Sequence, residues 1–283
     1  MSDRLSTYLT QLQADPVSFL ITMAYTWGVI LFSLILHECA HGYVALRCGD
    51  PTAKLMGRLS LNPARHLHPL GTLCMFLFGF GWAKPVPVNP RNFRNERRGD
   101  LLVSLAGVTV NLSIFVVTVL ISCIVNRFLW TQEMADIMRE EFGEIDILLN
   151  PFYGWVLSFH GVEGTVAASS IINDGHAMIA TFGEYMRCPW LIWVQRLLLL
   201  LAEVNLTLAV FNLLPIPPLD GFHVLNDIVL KGKLHLSGTM FRVTQVVLIV
   251  LLLSGVLNQV LSFAVSNLYK AVLQAFLLLT GQM

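Results

Sequence analysis

Charge is what this sequence has least of. Asp, Glu, Lys and Arg make up 13% of its 283 residues, about half the share found in soluble globular domains. So few charges cannot clothe the surface of a water-soluble domain, and a chain that is 55% hydrophobic does not have the composition of disorder. There is no excess of one sign either. Eighteen basic residues face eighteen acidic ones, which leaves no basic field to hold nucleic acid. Cysteine is sparse and unpaired: Cys39, Cys48, Cys74, Cys123 and Cys188 are an odd number with no CxxC spacing. In apolar runs reduced cysteine is a small hydrophobe, so neither a disulfide framework nor a thiolate metal site is expected. No internal repeat is detectable.

Long apolar runs fill the space instead. Residues 17–46 are apolar apart from His37, Glu38 and His41, and residues 101–126 carry no charge. Residues 191–219 contain only Arg196 and Glu203, and residues 243–269 none. A spanning helix needs about 20 apolar residues, so four spans are expected. The tail after Asn258 is either a fifth span or a helix at the interface. The first run is longer than the core of a signal peptide and no small-residue cleavage site follows it, so it reads as a retained segment. Residues 67–83 are apolar, glycine-rich and too short to span, which fits a re-entrant hairpin. Residues 131–189 mix acids and glycines and read as an extracytoplasmic insertion. The expectation is an all-α polytopic membrane protein, a single domain over residues 1–283. It would be a bundle of about four to six transmembrane helices, with the hairpin and a broken helix at a metal site.

Loop charges predict orientation, because Lys and Arg stay on the cytoplasmic side. Arg47, Lys54, Arg58 and Arg65 follow the first run against Asp50; Lys84, Arg91, Arg94, Arg97 and Arg98 follow the hairpin against Glu96 and Asp100; Lys231, Lys233 and Arg242 follow the third run. The insertion holds nine acids against Arg139 and Arg187. The amino terminus and the insertion are therefore expected outside and the basic loops inside, where Arg91–Arg98 would touch anionic lipid.

The chemistry begins within the first run. ILHECAHGY puts His37 and His41 at i and i+4, on one helical face. Two imidazoles on one helix supply half a tetrahedral zinc site, and Glu38 beside the first can act as general base toward a water: this is the HExxH pattern. Ionisable residues inside a membrane helix are expensive and functional by default, which favours catalysis over a polar packing patch. A catalytic zinc takes three protein ligands. The best third is Asp220 in NLLPIPPLDGFHVL, where Pro215, Pro217 and Pro218 break the helix. Irregular backbone at membrane depth is tolerated where it is buried or lines a wet cavity.

These residues carry a family resemblance. HECAH, GRLSLNP at 57–63, GWAKPVPVNP at 81–90, AGVTVN at 106–111 and NLLPIPPLDG at 212–221 resemble the site-2 protease family of intramembrane zinc metalloproteases, in its compact bacterial and archaeal form without a PDZ or CBS domain. The resemblance implies one zinc per chain held by His37, His41 and Asp220, with Glu38 activating the water. It implies that Asn111 and Asn212 polarise or position the scissile peptide. There are two departures: residues 107–111 lack the proline that relatives often carry, and His68 stands where aspartate is frequent.

The implied activity is hydrolysis of a peptide bond in or near a membrane helix of a single-span membrane-protein substrate, with the lipid bilayer as the other partner and no nucleic acid. The expected place is a prokaryotic cytoplasmic membrane. His41 lies six residues before Arg47, so the site sits roughly 10–15 Å below the cytoplasmic surface at 1.5 Å per residue. The proline-rich stretch 84–90 cannot be helical, and Val86 and Val88 in it are expected either to hold unwound substrate as an added strand or to form a stiff turn. Three roles stand open for the insertion: filtering substrates, gating the cleft, or pairing two copies as a homodimer. Competing readings are a membrane metal-binding protein or transporter, an inactive scaffold of the same fold, and a di-iron oxidase, which lacks its HxxHH boxes here. His223 is expected in a structural hydrogen bond, Asn205 in interior hydrogen bonding, and Arg196 snorkelling to the outer boundary.

Overall fold

The computed structural model describes residues 8–10, 12–13, 16–78, 83–142, 179–180, 182–234 and 237–280. Among these every regular element is helical. In chain order, α1 is Pro16–Cys48, α2 Pro69–Phe78, α3 Glu96–Leu129, α4 Gln132–Phe142, α5 Leu191–Asn212, α6 Asp220–Ile228, α7 Gly238–Leu253 and α8 Val256–Thr280. Short helical turns stand at Thr52–Leu55, Pro63–Arg65, Pro90–Asn92 and Gly183–Tyr185.

Among the described residues three helices are long and apolar enough to cross a membrane: Phe19–Cys48, Glu96–Leu129 and Leu191–Asn212. The 33 residues of α1 rise about 50 Å, well beyond the hydrocarbon core. Phe32, Val116, Ile124 and Phe128 are exposed on these helices, a surface that lipid covers at no cost and water does not. The protein is an integral membrane protein.

The expected fourth span needs correction. Residues 243–269 do not form one helix: α7 ends at Leu253 and α8 starts at Val256. Gly255 sits between them at φ 78°, and its N–H donates to the Leu252 carbonyl. Glycine takes this left-handed conformation without a Cβ penalty and so ends a helix. A single glycine in an uncharged run leaves no mark on hydropathy, which is why the break was invisible in the pattern. Where a hairpin was expected, α2 covers Pro69–Phe78, and residues 79–82 lie outside the described residues. The same holds for residues 143–178 of the insertion and for His160, His176 and His235.

The chain divides into two compact units, one drawn from Met1–Ile30, Ile114–Glu203 and Ser266–Met283, the other from Leu31–Ser113 and Val204–Val265. In the first, Leu129, Trp130, Met134, Ala135, Met186 and Ile192 form a core. There the two ends of the insertion are tied together. Thr131 N–H donates to the Tyr185 carbonyl (2.9 Å), and Arg187 N–H to that of Leu129 (2.8 Å). Arg196, expected to snorkel, is instead 3% exposed. The buried face of α5 runs through Ile192, Gln195, Arg196, Leu199 and Ala202, the i, i+3, i+4, i+7 spacing of a packed stripe, and Arg196 falls on it. Gln195 beside it donates to Asn126.

In the second unit Leu219, Leu248, Leu257 and Leu261 form one cluster and Ala45, Phe93 and Val103 another. Asn205 is buried and donates to Ser33 Oγ at 2.9 Å. Every residue of the candidate metal centre described below belongs to this unit.

Candidate metal centre

The helical period brings His37 and His41 together on α1. Their Nε2 atoms are 3.0 Å apart, and Asp220 Oδ2 lies 3.3 Å from the first and 3.5 Å from the second. Three ligand atoms thus converge within 4.8 Å of one another. Asp220 Oδ2 is buried without a hydrogen-bond partner among the described residues, although buried carboxylate oxygens are normally satisfied. An orphaned oxygen facing two imidazole nitrogens is a cradle that a divalent cation fits. His41 is oriented for it: its Nδ1 lies 2.7 Å from the Val103 carbonyl. A carbonyl only accepts, so Nδ1 carries the proton and Nε2 keeps its lone pair for a metal.

Asp220 arrives from an irregular turn. α5 stops at Asn212, where Leu213 N–H still reaches the Ala209 carbonyl and Leu214 N–H that of Phe211. Pro215 has no N–H to offer, and the helix cannot go on. The chain crosses Pro215, Pro217 and Pro218 and re-enters a helix at Asp220. A Cβ on Gly221 would stand 2.2 Å from the Leu213 carbonyl oxygen, so only glycine lets the turn close back on the end of α5. That closure aims the carboxylate of Asp220.

α3 supplies the back wall. A Cβ on Gly107 would lie 2.4–2.7 Å from atoms of the His37 ring, so the helix meets the imidazole at its own backbone. One turn on, the Asn111 amide is 3.2 Å from His37 Nδ1. Asn212 is half-buried and bonds the Leu208 carbonyl at 2.9 Å.

Glu38 reaches the proline-rich stretch. Its Oε2 accepts the Val86 N–H at 2.8 Å. Residues 83–89 form no regular element; Pro85, Pro87 and Pro90 favour extended backbone at the residues before them, Asn89 has it, and the stretch is strapped down from several sides. Arg58 Nη2 donates to the Lys84 and Pro85 carbonyls (2.7 and 3.2 Å), and Lys84 N–H donates to the His66 carbonyl (2.7 Å). Asn89 N–H reaches Asp50 Oδ2 at 2.7 Å. Asp50 is fully buried. Burial pushes its carboxyl up, but donors on Asn89, Thr52 and Asn92 outweigh that and hold it below its ordinary value. The side chain of Val86 is buried and that of Val88 half-buried. Among the described residues, Val88 N–H has no partner.

A second polar contact joins α6 to the start of α3. His223 Nδ1 is 3.0 Å from Asp100 Oδ2, and the Arg97 guanidinium donates to the Asp227 carbonyl. The hydrogen bond to Asp100, helped by the charges of Asp100, Asp220 and Asp227, raises the His223 pKa against the effect of burial. Burial first, then Asp100, raises the Asp227 carboxyl.

Of the residues expected to form the site, the ligand atoms of His37, His41 and Asp220 converge, while Glu38 accepts the Val86 N–H. Sequence reasoning missed Asp50, Arg58 and Asp100, which had been read only as loop charges. The available signal was that Asp50 and Asp100 are acids within otherwise basic segments. His66 and His68 form no joint site: His66 Nε2 meets the Ser60 carbonyl at 2.6 Å, and His68 Nδ1 accepts the Gly71 N–H.

Apolar spanning helices with a His–His–Asp cradle and a glutamate beside it define a membrane-embedded metal-dependent hydrolase. The profile of Peptidase family M50 matches residues 25–255, and the chain belongs to that family; it is a site-2-type zinc metalloprotease. It is 34% identical over 210 residues to the "Putative zinc metalloprotease YwhC" of Bacillus subtilis, covering 74% of this chain and 71% of that one. It is 41% identical over 90 residues to the "Putative zinc metalloprotease Rip2" of Mycobacterium tuberculosis, and 32% over 102 residues to its namesake in Mycolicibacterium smegmatis. Those two matches cover 30% and 34% of this chain, and 34% and 39% of the relatives. No solved structure matches the chain.

Proposed function

We propose that the protein is an intramembrane endopeptidase, cutting a peptide bond in or near the transmembrane helix of a single-span membrane protein. The observation that carries the reading is the Glu38 carboxylate beside the His37–His41–Asp220 cradle on an apolar helix. We place it in a prokaryotic cytoplasmic membrane, with the amino terminus outside and the site nearer the cytoplasmic face, on the strength of the loop charges.

His37, His41 and Asp220 would hold one zinc ion per chain. When bound, zinc supplies Lewis acidity that eases deprotonation of water and polarises a peptide carbonyl. Glu38 takes the proton of the attacking water and returns it to the leaving amine. Val86 N–H holds the carboxylate in place for both transfers. Asn212 spends one amide hydrogen on Leu208 and keeps the second for a developing oxyanion. A substrate helix hides its carbonyls in hydrogen bonds and must unwind before attack. The extended stretch Val86–Val88 offers it a strand edge, with the Val88 N–H as donor.

The deciding experiment compares wild type, Glu38→Gln and Asp220→Ala in detergent for zinc content and for cleavage of a single-span substrate. One zinc per chain in wild type and Glu38→Gln, with cleavage in wild type alone, is the expected result. Asp220→Ala should lose most of its zinc. A wild type without zinc overturns the reading.

A further inference from the structure

Asn111 is fully buried, 0% exposed. A side chain with no exposed surface offers no face to a peptide entering from outside, so a role in binding the scissile bond does not suit it. Its amide nitrogen lies 3.2 Å from His37 Nδ1, while its Oδ1 is buried without any hydrogen-bond partner among the described residues.

The chemistry of the cradle decides which amide atom belongs against the ring. His37 Nε2 faces Asp220 Oδ2 and His41 Nε2 at 3.3 and 3.0 Å, so this nitrogen must offer a lone pair to a cation. A neutral imidazole then carries its proton on Nδ1. An NH2 group against an N–H sets donor against donor. Turning the amide over, a change that leaves its shape intact, sets Oδ1 against the N–H and at once satisfies the orphaned oxygen. His41 gives the parallel case: its Nδ1 faces the Val103 carbonyl, an acceptor, at 2.7 Å. The Gly107 backbone, close enough to exclude a Cβ, keeps the ring from swinging away, and its carbonyl also accepts from the His37 ring, so the turned Asn111 Oδ1 shares the Nδ1–H with it.

We propose that Asn111 is a positioning residue for His37, its side-chain carbonyl accepting the Nδ1–H and so fixing Nε2 as the atom turned toward the metal. The inference rests on the reading of the cradle as a zinc site. Groups that orient a ligating histidine typically contribute 10–100-fold in metal affinity.

Two measurements test it. Nitrogen-15 NMR of histidine-labelled, metal-free wild type at pH 8 should show His37 as the Nδ1–H tautomer; the Nε2–H tautomer overturns the proposal, and no variant has to fold for that. Zinc competition against a chelator should then show Asn111→Ala weaker than wild type by about 10–100-fold. Asn111→Asp keeps an acceptor and loses the NH2, so it should stay close to wild type. Equal losses in the two variants would mean that the NH2 group is what matters, and unchanged affinity in Asn111→Ala would mean that nothing is positioned; either overturns the proposal. The NMR readout needs no zinc, so a wild type that fails to bind the metal would be recognised separately as a failure of the functional reading.

Discussion

The candidate metal centre is built from two regions of opposite character. α1 presents His37 and His41 by helical period alone: any α-helix with histidines four apart puts both on one face. The turn that presents Asp220 has no period. It depends on three prolines that end α5 and on a glycine that admits a carbonyl where a Cβ would stand at 2.2 Å. One half of the site is therefore robust to changes in neighbouring residues, and the other is fixed by steric exclusion. The contrast extends to their support. α1 has its ring nitrogens bonded by Val103 and faced by Asn111, whereas Asp220 Oδ2 has no hydrogen-bond partner among the described residues and α6 leans on polar contacts to the start of α3.

The largest break in that comparison comes from Gly221→Ala. The added methyl overlaps the Leu213 carbonyl, so the turn must open and Asp220 must move. Zinc affinity should fall by about 100-fold, the upper range for loss of ligand positioning, and cleavage should go with it. Gly28→Ala on α1, where a Cβ meets nothing within 4 Å, should leave both unchanged. Titration with a zinc indicator reads the difference directly.

Val88→Pro tests a smaller effect, on substrate rather than metal. It removes an N–H that has no partner among the described residues while leaving the Val86–Glu38 bond intact. If substrate adds as a strand, catalytic efficiency should drop about tenfold, the worth of one hydrogen bond, with zinc content unchanged. Unaltered cleavage would reduce the stretch to a stiff turn. Val86→Pro removes the donor to Glu38 as well and should be the more severe of the two.

The smallest effect is expected at His223, whose side chain is 41% exposed. Its folded pKa lies above the ordinary 6.5, so protonation is favoured in the folded state. The stabilisation is complete below pH 6.5 and disappears as pH rises through the raised value. His223→Gln should therefore lower thermal stability at pH 5.5 by no more than about 1 kcal/mol, as befits a solvated pair, and less at pH 9. A loss that grows toward high pH would contradict the contact with Asp100.

Much of this was legible in the residues. The scarcity of charge identified a membrane protein, and HExxH within an apolar run pointed to His37 and His41, whose Nε2 atoms converge with Asp220. The proline-rich break singled out Asp220 as their candidate partner. Other features resisted reading for physical reasons. Arg196 looked like a boundary charge because hydropathy averages over all faces of a helix and cannot tell which one is buried. The stop at Gly255 left no trace, because one residue with a left-handed φ does not change the apolarity of a run. Asp50, Arg58 and Asp100 passed for topology charges because their partners, Asn89, Lys84 and His223, are 39, 26 and 123 residues away.

By itself, then, the sequence determined the solvent and the class of chemistry, since both follow from local pattern and side-chain chemistry. Tertiary structure alone decided what each polar group touches: that Glu38 is held by the Val86 N–H, that Asp50 anchors the extended stretch, and that Asn111 lies buried against His37. Hydrogen bonds act over about 3 Å, and no pattern along a chain specifies such a distance between residues 74 positions apart.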